Sequence, residues 1–199
     1  MTKDEANAEV AVELLLKAIG EDPKREGLRE TPARAAKAWK EWTAGYHEDP
    51  IKILKTFADA LPAERRGERG IVAVHNIPVI SKCEHHLADI VGVAHVGYIP
   101  DTCVVGLSKL PRIVNVFARR LQVQERMTAQ IADAIMDHPT LKPKGVAVIM
   151  RAAHHCMSTR GVRIHGSTTT TSEMRGVFLE SEMEMKFLLK CQMAEARHD

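Results

Sequence analysis

Residues 71–99, IVAVHNIPVISKCEHHLADIVGVAHVGYI, decide the fold of this chain. Ile71 to Ile80 and Ile90 to Ile99 are rich in Val and Ile, which suit the pleated, half-buried surface of a sheet. The two runs flank the segment Cys83 to His86 and predict two strands joined through it. The glycines of the second run mark bulges or positions where another part of the chain approaches closely.

The chain after this pair of strands alternates between helical and strand patterns. Ser108 to Arg120 and Glu125 to His138 place apolar residues at helical spacing and predict two successive helices. Val146 to Met150 is an apolar run typical of a buried strand, and the Thr-rich stretch Thr168 to Leu179 is its candidate partner. The order predicts an α+β domain in which two helices cover one face of an antiparallel sheet.

The N-terminal region has a helical pattern of its own. Apolar residues recur at helical spacing from Ala8 to Ile19, and Gly20 is a suitable end for that helix. Thr31-Pro32 predicts the start of a second helix, with Thr31 as the N-cap and proline at the first helical position. The stretch from His47 to Gly70 suits an exposed connection.

Length and composition limit the classes of protein that fit. A chain of 199 residues with 45% hydrophobic content can bury a full core. We expect one functional domain, with a helical extension and linker over residues 1–70 and the main domain over residues 71–199. The net charge of +2 and the 4% aromatic content favour no nucleic-acid partner. No apolar run approaches the ~20 residues that span a bilayer, and the charged start lacks the apolar block of a signal peptide. We therefore expect a cytoplasmic protein with no membrane partner.

Two clusters of soft ligands point to a metal. Cys83 and His86 are three residues apart, so one turn can bring a sulfur and an imidazole nitrogen to the same cation. His154-His155-Cys156 follows a predicted strand and supplies a second cluster. A catalytic zinc site has three protein ligands and leaves a position for water, whereas a structural site closes four. Cys103 and Cys191 have no neighbouring cysteine, which favours three ligands and a hydrolytic site over a closed one.

Other side chains suit proton transfer and anion binding. His85 and His154 adjoin the predicted ligands and are candidate acid and base, with a positioning role for a ligand as the alternative. One hydroxyl and five cations suit a phosphate group, although each alone is more often a solvated surface group. They are Ser108, Lys109, Arg112, Arg160, Arg34 and Lys37. Gln124 and Glu125 begin a predicted helix, where Glu125 offers a carboxylate to N–H donors.

Several short motifs give the chain a resemblance to a known family. They are SKCEHH (residues 81–86), GLSK (106–109), VQER (123–126), HHC (154–156), ETPARAAK (30–37) and TTTTS (168–172). In order and spacing they resemble the GTP cyclohydrolase I family, from about residue 10 to about residue 180. The family carries Tyr or Met where His155 stands here.

The resemblance implies a fold and a reaction that spacing alone does not reach. The implied fold is the tunnelling fold, in which small antiparallel sheets of several subunits join into a barrel, stacked as two pentameric rings in a homodecamer. The implied reaction is the zinc-dependent conversion of GTP and water to 7,8-dihydroneopterin triphosphate and formate, the first step of tetrahydrofolate and pterin biosynthesis. The implied cofactor is Zn²⁺, and the implied substrate is GTP.

The resemblance also implies roles for matching residues. The zinc ligands are Cys83, His86 and Cys156, and the proton-transfer residues are His85 and His154. The substrate contacts are Ser108 near the ribose, Glu125 with Gln124 at the guanine, Lys109, Arg112 and Arg160 at the triphosphate, and Arg34 and Lys37 from a neighbouring subunit.

Two other functions remain open on the sequence. A zinc-stabilised binding module would hold its ion with a fourth protein ligand and carry out no reaction. Another tunnelling-fold enzyme, such as a nitrile reductase or a pterin synthase, is the second alternative. A nitrile reductase needs a nucleophilic cysteine without metal ligands around it, and the residues Cys83 to His86 disfavour that.

Overall fold

The computed structural model describes residues 2–58 and 70–196 and divides the chain into two compact units, residues 1–44 and 45–199. The first unit contains helices α1 (Lys3–Ala18) and α2 (Thr31–Trp42). Residues 59–69, which belong to the predicted linker, lie outside the described residues.

Helix α1 has well-formed ends and an uncovered apolar side. Thr2 and Glu5 form a reciprocal capping box at its start, and Gly20, at φ 89°, follows its end as predicted. Three apolar residues of α1 and its C-cap residue are 55–66% exposed; they are Val10, Leu14, Leu15 and Ile19. Helix α2 begins one residue earlier than predicted, because Glu30 is the N-cap and Thr31 is already helical.

The second unit holds two sheets and five helices among its described residues. Its helices are α3 (Pro50–Ile53), α4 (Lys109–Ala118), α5 (Gln124–Met136), α6 (His155–Ser158) and α7 (Ser181–Glu195). Its strands are β1 (Thr56–Phe57), β2 (Val72–Cys83), β3 (Asp89–Ile99), β4 (Val104–Val105), β5 (Leu121–Gln122), β6 (Gly145–His154) and β7 (Thr169–Gly176). No helix of the described residues is long and apolar enough to span a bilayer.

The larger sheet has the strand order β5-β2-β3-β6-β7, and β1 pairs with β4 separately. The four long strands are antiparallel neighbours, as the sequence predicts. The short strand β5 is an exception, because it runs parallel to the end of β2 and pairs only with Lys82 and Cys83. The mixed α+β class is confirmed, and the sheet is antiparallel except at this edge.

The sheet is covered on both faces. One core joins apolar residues of β2, β3 and β6 to those of α4 and α5, which lie on the same face. A smaller core on the other face includes Phe187 and Cys191 of α7, packed near Ile99, Ala147 and Ile149. The two-helix layer agrees with the prediction, whereas the cover by α7 is an addition that the sequence pattern did not indicate.

A β-bulge interrupts β2 where it passes β3. Val74 pairs with Val96 and the next pair is Ile77 with Ala94, so His75 and Asn76 together lie opposite one residue of β3. Asn76 has a φ of 53°, a left-handed conformation that asparagine tolerates better than most residues. The bulge changes the direction of the side chains on this part of the strand.

The predicted close approach at a glycine of β3 is present at Gly92. A Cβ there would lie 2.1 Å from the carbonyl oxygen of Arg151, too close for any side-chain adjustment to relieve. We therefore expect Gly92→Ala to lower the free energy of unfolding by about 1–3 kcal/mol, a typical cost of overpacking. Gly70→Ala is the matched control, because a Cβ at Gly70 meets no described residue within 4 Å. Equal denaturant midpoints for the two variants would contradict this prediction.

Candidate active site

The turn after β2 carries the first cluster of predicted ligands. The backbone N–H of Cys83 donates to the carbonyl of Ala88 at 2.8 Å, and the N–H of Leu87 donates to the carbonyl of Cys83 at 2.8 Å. Leu87 adopts a φ of 56°, which closes the turn before β3 begins. The turn leaves Cys83 buried and places His85 and His86 at the surface.

The second cluster reaches the same place from β6. His154 ends β6 opposite Ile90, the second residue of β3, and α6 begins at the following residue. Because Lys82 pairs with Asp89 at the start of β3, the ends of β2 and β6 lie on either side of the same strand. One ligand atom from each of Cys83, His86 and Cys156 lies within 4.8 Å of the other two.

The geometry and chemistry of these three residues fit a zinc ion. Two thiol sulfurs and one imidazole nitrogen are the donors that zinc prefers in proteins. The sulfur of Cys83 lies 3.8 Å from Nδ1 of His86. Ligands of a tetrahedral zinc at about 2.3 Å for sulfur and 2.0–2.1 Å for nitrogen lie about 3.6 Å apart, so a small adjustment closes the site.

Burial and the neighbouring thiol raise the pKa of Cys156, and the cation Arg160 opposes this effect. The protein alone therefore favours the protonated thiol. A bound cation reverses this preference, because metal coordination stabilises the thiolate and releases the proton. The proximity of Arg160 to Cys156 also places one of the predicted phosphate contacts beside the cluster.

Gln124 holds His154 in a fixed orientation. Its Nε2 donates to the carbonyls of Met150 at 3.2 Å and Thr169 at 3.0 Å and lies 3.1 Å from Oγ1 of Thr171. These acceptors fix the amide orientation, so Oε1 faces Nε2 of His154 at 2.7 Å. Since an amide oxygen only accepts, Nε2 of His154 carries a proton and Nδ1 is the basic nitrogen. Burial lowers the pKa of His154, and the carboxylate of Glu125 partly offsets this shift.

Gln124 also makes contacts within the protein, and its predicted contact with the guanine stays a prediction. Its side chain is 1% exposed and uses both amide atoms within the protein. We expect Gln124→Ala to lower the catalytic rate about 10–100-fold, as the loss of an orienting partner commonly does, while zinc content is unchanged. Thr128→Val is the matched control, because its hydroxyl bonds within the same buried group and does not contact His154. Equal rates for the two variants would rule out positioning by Gln124.

His155 faces a different partner. Its Nδ1 lies 4.0 Å from a carboxylate oxygen of Asp89, and Asp89 also pairs with the buried Lys82. Thus the two adjacent histidines differ in their surroundings, since only His154 is hydrogen-bonded to Gln124. Neither the contact of His155 with Asp89 nor that of His154 with Gln124 could be predicted, because both join segments that are distant in the sequence.

The predicted substrate contacts fall into two groups within the second unit. Glu125 lies in the exposed first turn of α5, next to Gln124, and Arg160 follows α6 near Cys156. Ser108, Lys109 and Arg112 lie at the start of α4 instead. The far end of that ten-residue helix leads to β5 beside Cys83, so its start is about 15 Å away along the axis. Ser108, Lys109 and Arg112 thus lie at the end of α4 that is remote from β5.

Arg34 and Lys37 lie on α2 of the first unit, three residues apart and exposed. The guanidinium of Arg34 forms an ion pair with Glu30 one turn earlier. Both cations are thus on the solvent side of the helix, where an anion from outside the unit can reach them.

Comparison with known proteins assigns the family. The GTP cyclohydrolase I family model matches residues 8–192. The chain belongs to the GTP cyclohydrolase I family. A GTP cyclohydrolase 1 from Nitrosospira multiformis is 54% identical over 81% of this chain and 82% of its own length. Another from Mycolicibacterium vanbaalenii is 55% identical over 88% of this chain and 84% of its own length.

A solved structure, that of the archaeosine synthase QueF-Like in the apo form, gives a weaker likeness. It covers 53% of this chain and 93% of that chain, with 14% identity and a TM-score of 0.41. This likeness carries no fold assignment. The family resemblance expected from the motifs is confirmed by the family model and the curated relatives.

Proposed function

We propose that this chain is a zinc-dependent GTP cyclohydrolase that converts GTP and water to 7,8-dihydroneopterin triphosphate and formate. The main support is the convergence of Cys83, His86 and Cys156 beside the oriented imidazole of His154. Relatives named GTP cyclohydrolase 1 at 54–55% identity support the same reaction. The reaction is the first step of tetrahydrofolate and pterin biosynthesis.

In this proposal Cys83, His86 and Cys156 would hold the ion, and the adjacent residues would bind the substrate and transfer protons. A zinc ion at this site would supply a Lewis acid that lowers the pKa of water. His154 exchanges a proton at Nδ1 with the guanine ring as it opens, because its Nε2 is tied to Gln124. His85 is exposed on the adjacent turn and acts as the second proton carrier. Glu125 accepts from N1–H and the amino group of guanine.

We further propose that the active site is completed by a neighbouring copy of the chain. Ser108, Lys109 and Arg112 lie at the start of α4, about a helix length from the end that leads to β5 beside Cys83. A triphosphate carries several negative charges, and Arg160 alone near the cluster would leave most of them unpaired. The start of α4, together with Arg34 and Lys37, would complete the set if neighbouring copies supply them.

The edges of the sheet support such an assembly. Among the described residues, β2 pairs on its outer side with β5 only at Lys82 and Cys83, and β7 is the last strand of the sheet. Open strand edges pair readily with other strands. The exposed apolar side of α1 is a second surface suited to another copy. The tunnelling fold, with sheets joined into a barrel and two pentameric rings, is the assembly that we propose.

Subunit exchange tests the shared site. We expect Arg112→Ala and His154→Ala each to be nearly inactive as pure assemblies, because each lesion damages every site. When they are dissociated and reassembled together in equal amounts, about a quarter of the sites would contain neither lesion. The measurement is GTP turnover before and after reassembly, with exchange verified by mass spectrometry of differently tagged chains.

Two outcomes separate the alternatives for assembly. Recovery of activity only in the exchanged mixture supports a site shared between chains. A mixture that stays inactive despite verified exchange would show that each chain builds its own site. The control mixture combines Arg112→Ala with Arg112→Gln. Every chain in it carries a substitution at the same residue, so this mixture should recover no activity.

The reaction itself is tested by incubating the zinc-loaded protein with GTP. We expect formate and, after oxidation, a fluorescent pterin to appear in equal amounts. Removal of zinc by a chelator should stop both products, and added zinc should restore them. A protein that binds zinc but releases no formate would be a zinc-stabilised binding module instead.

A further inference from the structure

A second group of soft ligands lies on the face of the sheet that α7 covers, opposite to the face that α4 and α5 cover. His75 of β2, His95 of β3 and Cys191 of α7 each offer one ligand atom, and these atoms all lie within 4.8 Å of one another. His95 is 2% exposed and Cys191 is 6% exposed, whereas His75 is half-buried. The group is separate from the candidate active site, whose ligands lie at the far end of β2 and after β6.

The bulge in β2 creates this arrangement. Two residues, His75 and Asn76, lie opposite His95, and the side chain of Asn76 donates to the carbonyl of Ala194 on α7 at 3.3 Å. Nδ1 of His75 lies 3.2 Å from Nδ1 of His95. Two nitrogens bound to one tetrahedral zinc at about 2.0–2.1 Å lie about 3.3 Å apart, so the observed spacing matches a shared ion.

The outer nitrogen of His95 has the surroundings of a metal-bound imidazole. Nε2 of His95 is buried and makes no hydrogen bond within the described part of the chain, although Oε1 of Glu195 lies 3.4 Å away. That carboxylate is itself held by Arg151 at 3.2 Å. Metal-binding histidines commonly donate their second N–H to a carboxylate, which fixes the tautomer with the other nitrogen free for the ion.

The protonation of the group agrees with this geometry. Burial lowers the pKa of both His75 and His95, which favours the neutral imidazoles that can bind a metal ion. Burial, with a smaller contribution from Glu195, raises the pKa of Cys191 to about 12. Binding of a divalent ion would release the thiol proton to water and leave a thiolate ligand.

We propose that His75, His95 and Cys191 form a second zinc site, distinct from the catalytic one, with Glu195 as the carboxylate behind His95. The N₂S donor set suits zinc among the common divalent ions. A cavity of about 430 Å³ is lined in part by His75, so water can reach that side of the group. The ion joins β2, β3 and α7, so its role is to fasten the C-terminal helix to the sheet.

A hydrogen-bonded pair of histidines is the simpler explanation, but it accounts for less. It explains the 3.2 Å spacing between His75 and His95. It does not explain why a buried thiol reaches the same point or why a carboxylate approaches the outer nitrogen of His95. A metal ion uses all of these groups together.

The experiment counts metal in the full chain after the first site has been removed. Cys83→Ala with Cys156→Ala leaves only His86 at the catalytic cluster. After stripping with a chelator, we expect this double variant to bind one Co²⁺ or Zn²⁺ per chain, and the unaltered protein to bind two. Co²⁺ in the double variant should give the intense ultraviolet absorption of a cobalt–thiolate bond.

Further variants identify the ligands. Adding either Cys191→Ser or His75→Asn to the double variant should abolish binding, while adding Cys103→Ser should leave one ion bound. Cys103 is an equally buried thiol that lies 3.1 Å from the carbonyl of Thr140, outside both groups. His75→Asn is the safer probe for folding because His75 is only half-buried, and thermal unfolding of each variant verifies the fold.

The result that overturns the proposal is a double variant that is folded, binds no metal and shows no cobalt–thiolate band. The measurement of metal per chain uses no GTP, so its outcome is independent of whether the proposed reaction is correct. An unaltered protein that hydrolyses GTP with a single zinc per chain would support the catalytic site and refute the second one.

Discussion

Cys156→Ala is expected to remove one zinc ion per chain and the production of formate together. Cys156 is one of three ligands whose atoms lie within 4.8 Å of one another, and the two that remain cannot hold zinc tightly. The rate should fall by roughly 10³-fold or more, because His154 and His85 are then left without an activated water. The effect comes from the loss of the ion and leaves the core of the sheet intact.

Metal analysis and a matched cysteine variant test this expectation. Zinc per chain is measured beside the rate of formate release, for Cys156→Ala and for Cys103→Ala. Cys103 is 5% exposed and belongs to the main core, so its replacement should cost stability and leave zinc and activity unchanged. Unchanged zinc content in folded Cys156→Ala would refute the ligand assignment.

His154→Ala is expected to lower the rate about 10²–10⁴-fold with zinc retained, the usual cost of losing a general acid or base. His155→Tyr should remain active. The two histidines are adjacent in the chain, but only His154 bonds to Gln124, at 2.7 Å, whereas His155 lies 4.0 Å from Asp89. Because this hydrogen bond orients His154, we expect His154 to be the imidazole that transfers protons.

Single-turnover rates and zinc content of both variants decide between the histidines. His155→Ala and His154→Tyr complete a matched set, so that loss of the imidazole is separated from the size of the new side chain. An active His154→Ala together with an inactive His155→Tyr would reverse the assignment. Loss of zinc in His154→Ala would indicate a role in the metal site instead.

Local patterns in the sequence predicted much of this fold. The Val- and Ile-rich runs become β2 and β3, and the helical spacings become α4 and α5, because both patterns report which side chains face a core. The parallel pairing of β5 was not predictable, since two residues carry no periodicity. The cover by α7 also depends on contacts with distant strands rather than on its own sequence.

In the candidate site, too, contacts between near neighbours in the sequence were predictable and contacts between distant segments were not. Cys83 and His86 are near neighbours in the chain, and their shared turn could be predicted from spacing alone. The bond between Gln124 and His154 spans 30 residues and depends on how α5 meets the end of β6. The bulge that brings His75 close to His95 could not be predicted from the sequence, because an inserted residue changes no local composition.

The open edges of the sheet affect how the protein refolds and associates. Among the described residues, most of the outer side of β2 and the outer side of β7 have no strand partner, and each can pair with an extended segment that it meets. Correct association with other copies would hide both edges, while delayed association leaves time for aggregation. If copies associate as proposed, the yield of refolded protein would depend on the competition between these two kinds of strand pairing, and assembly would protect the chain from aggregation.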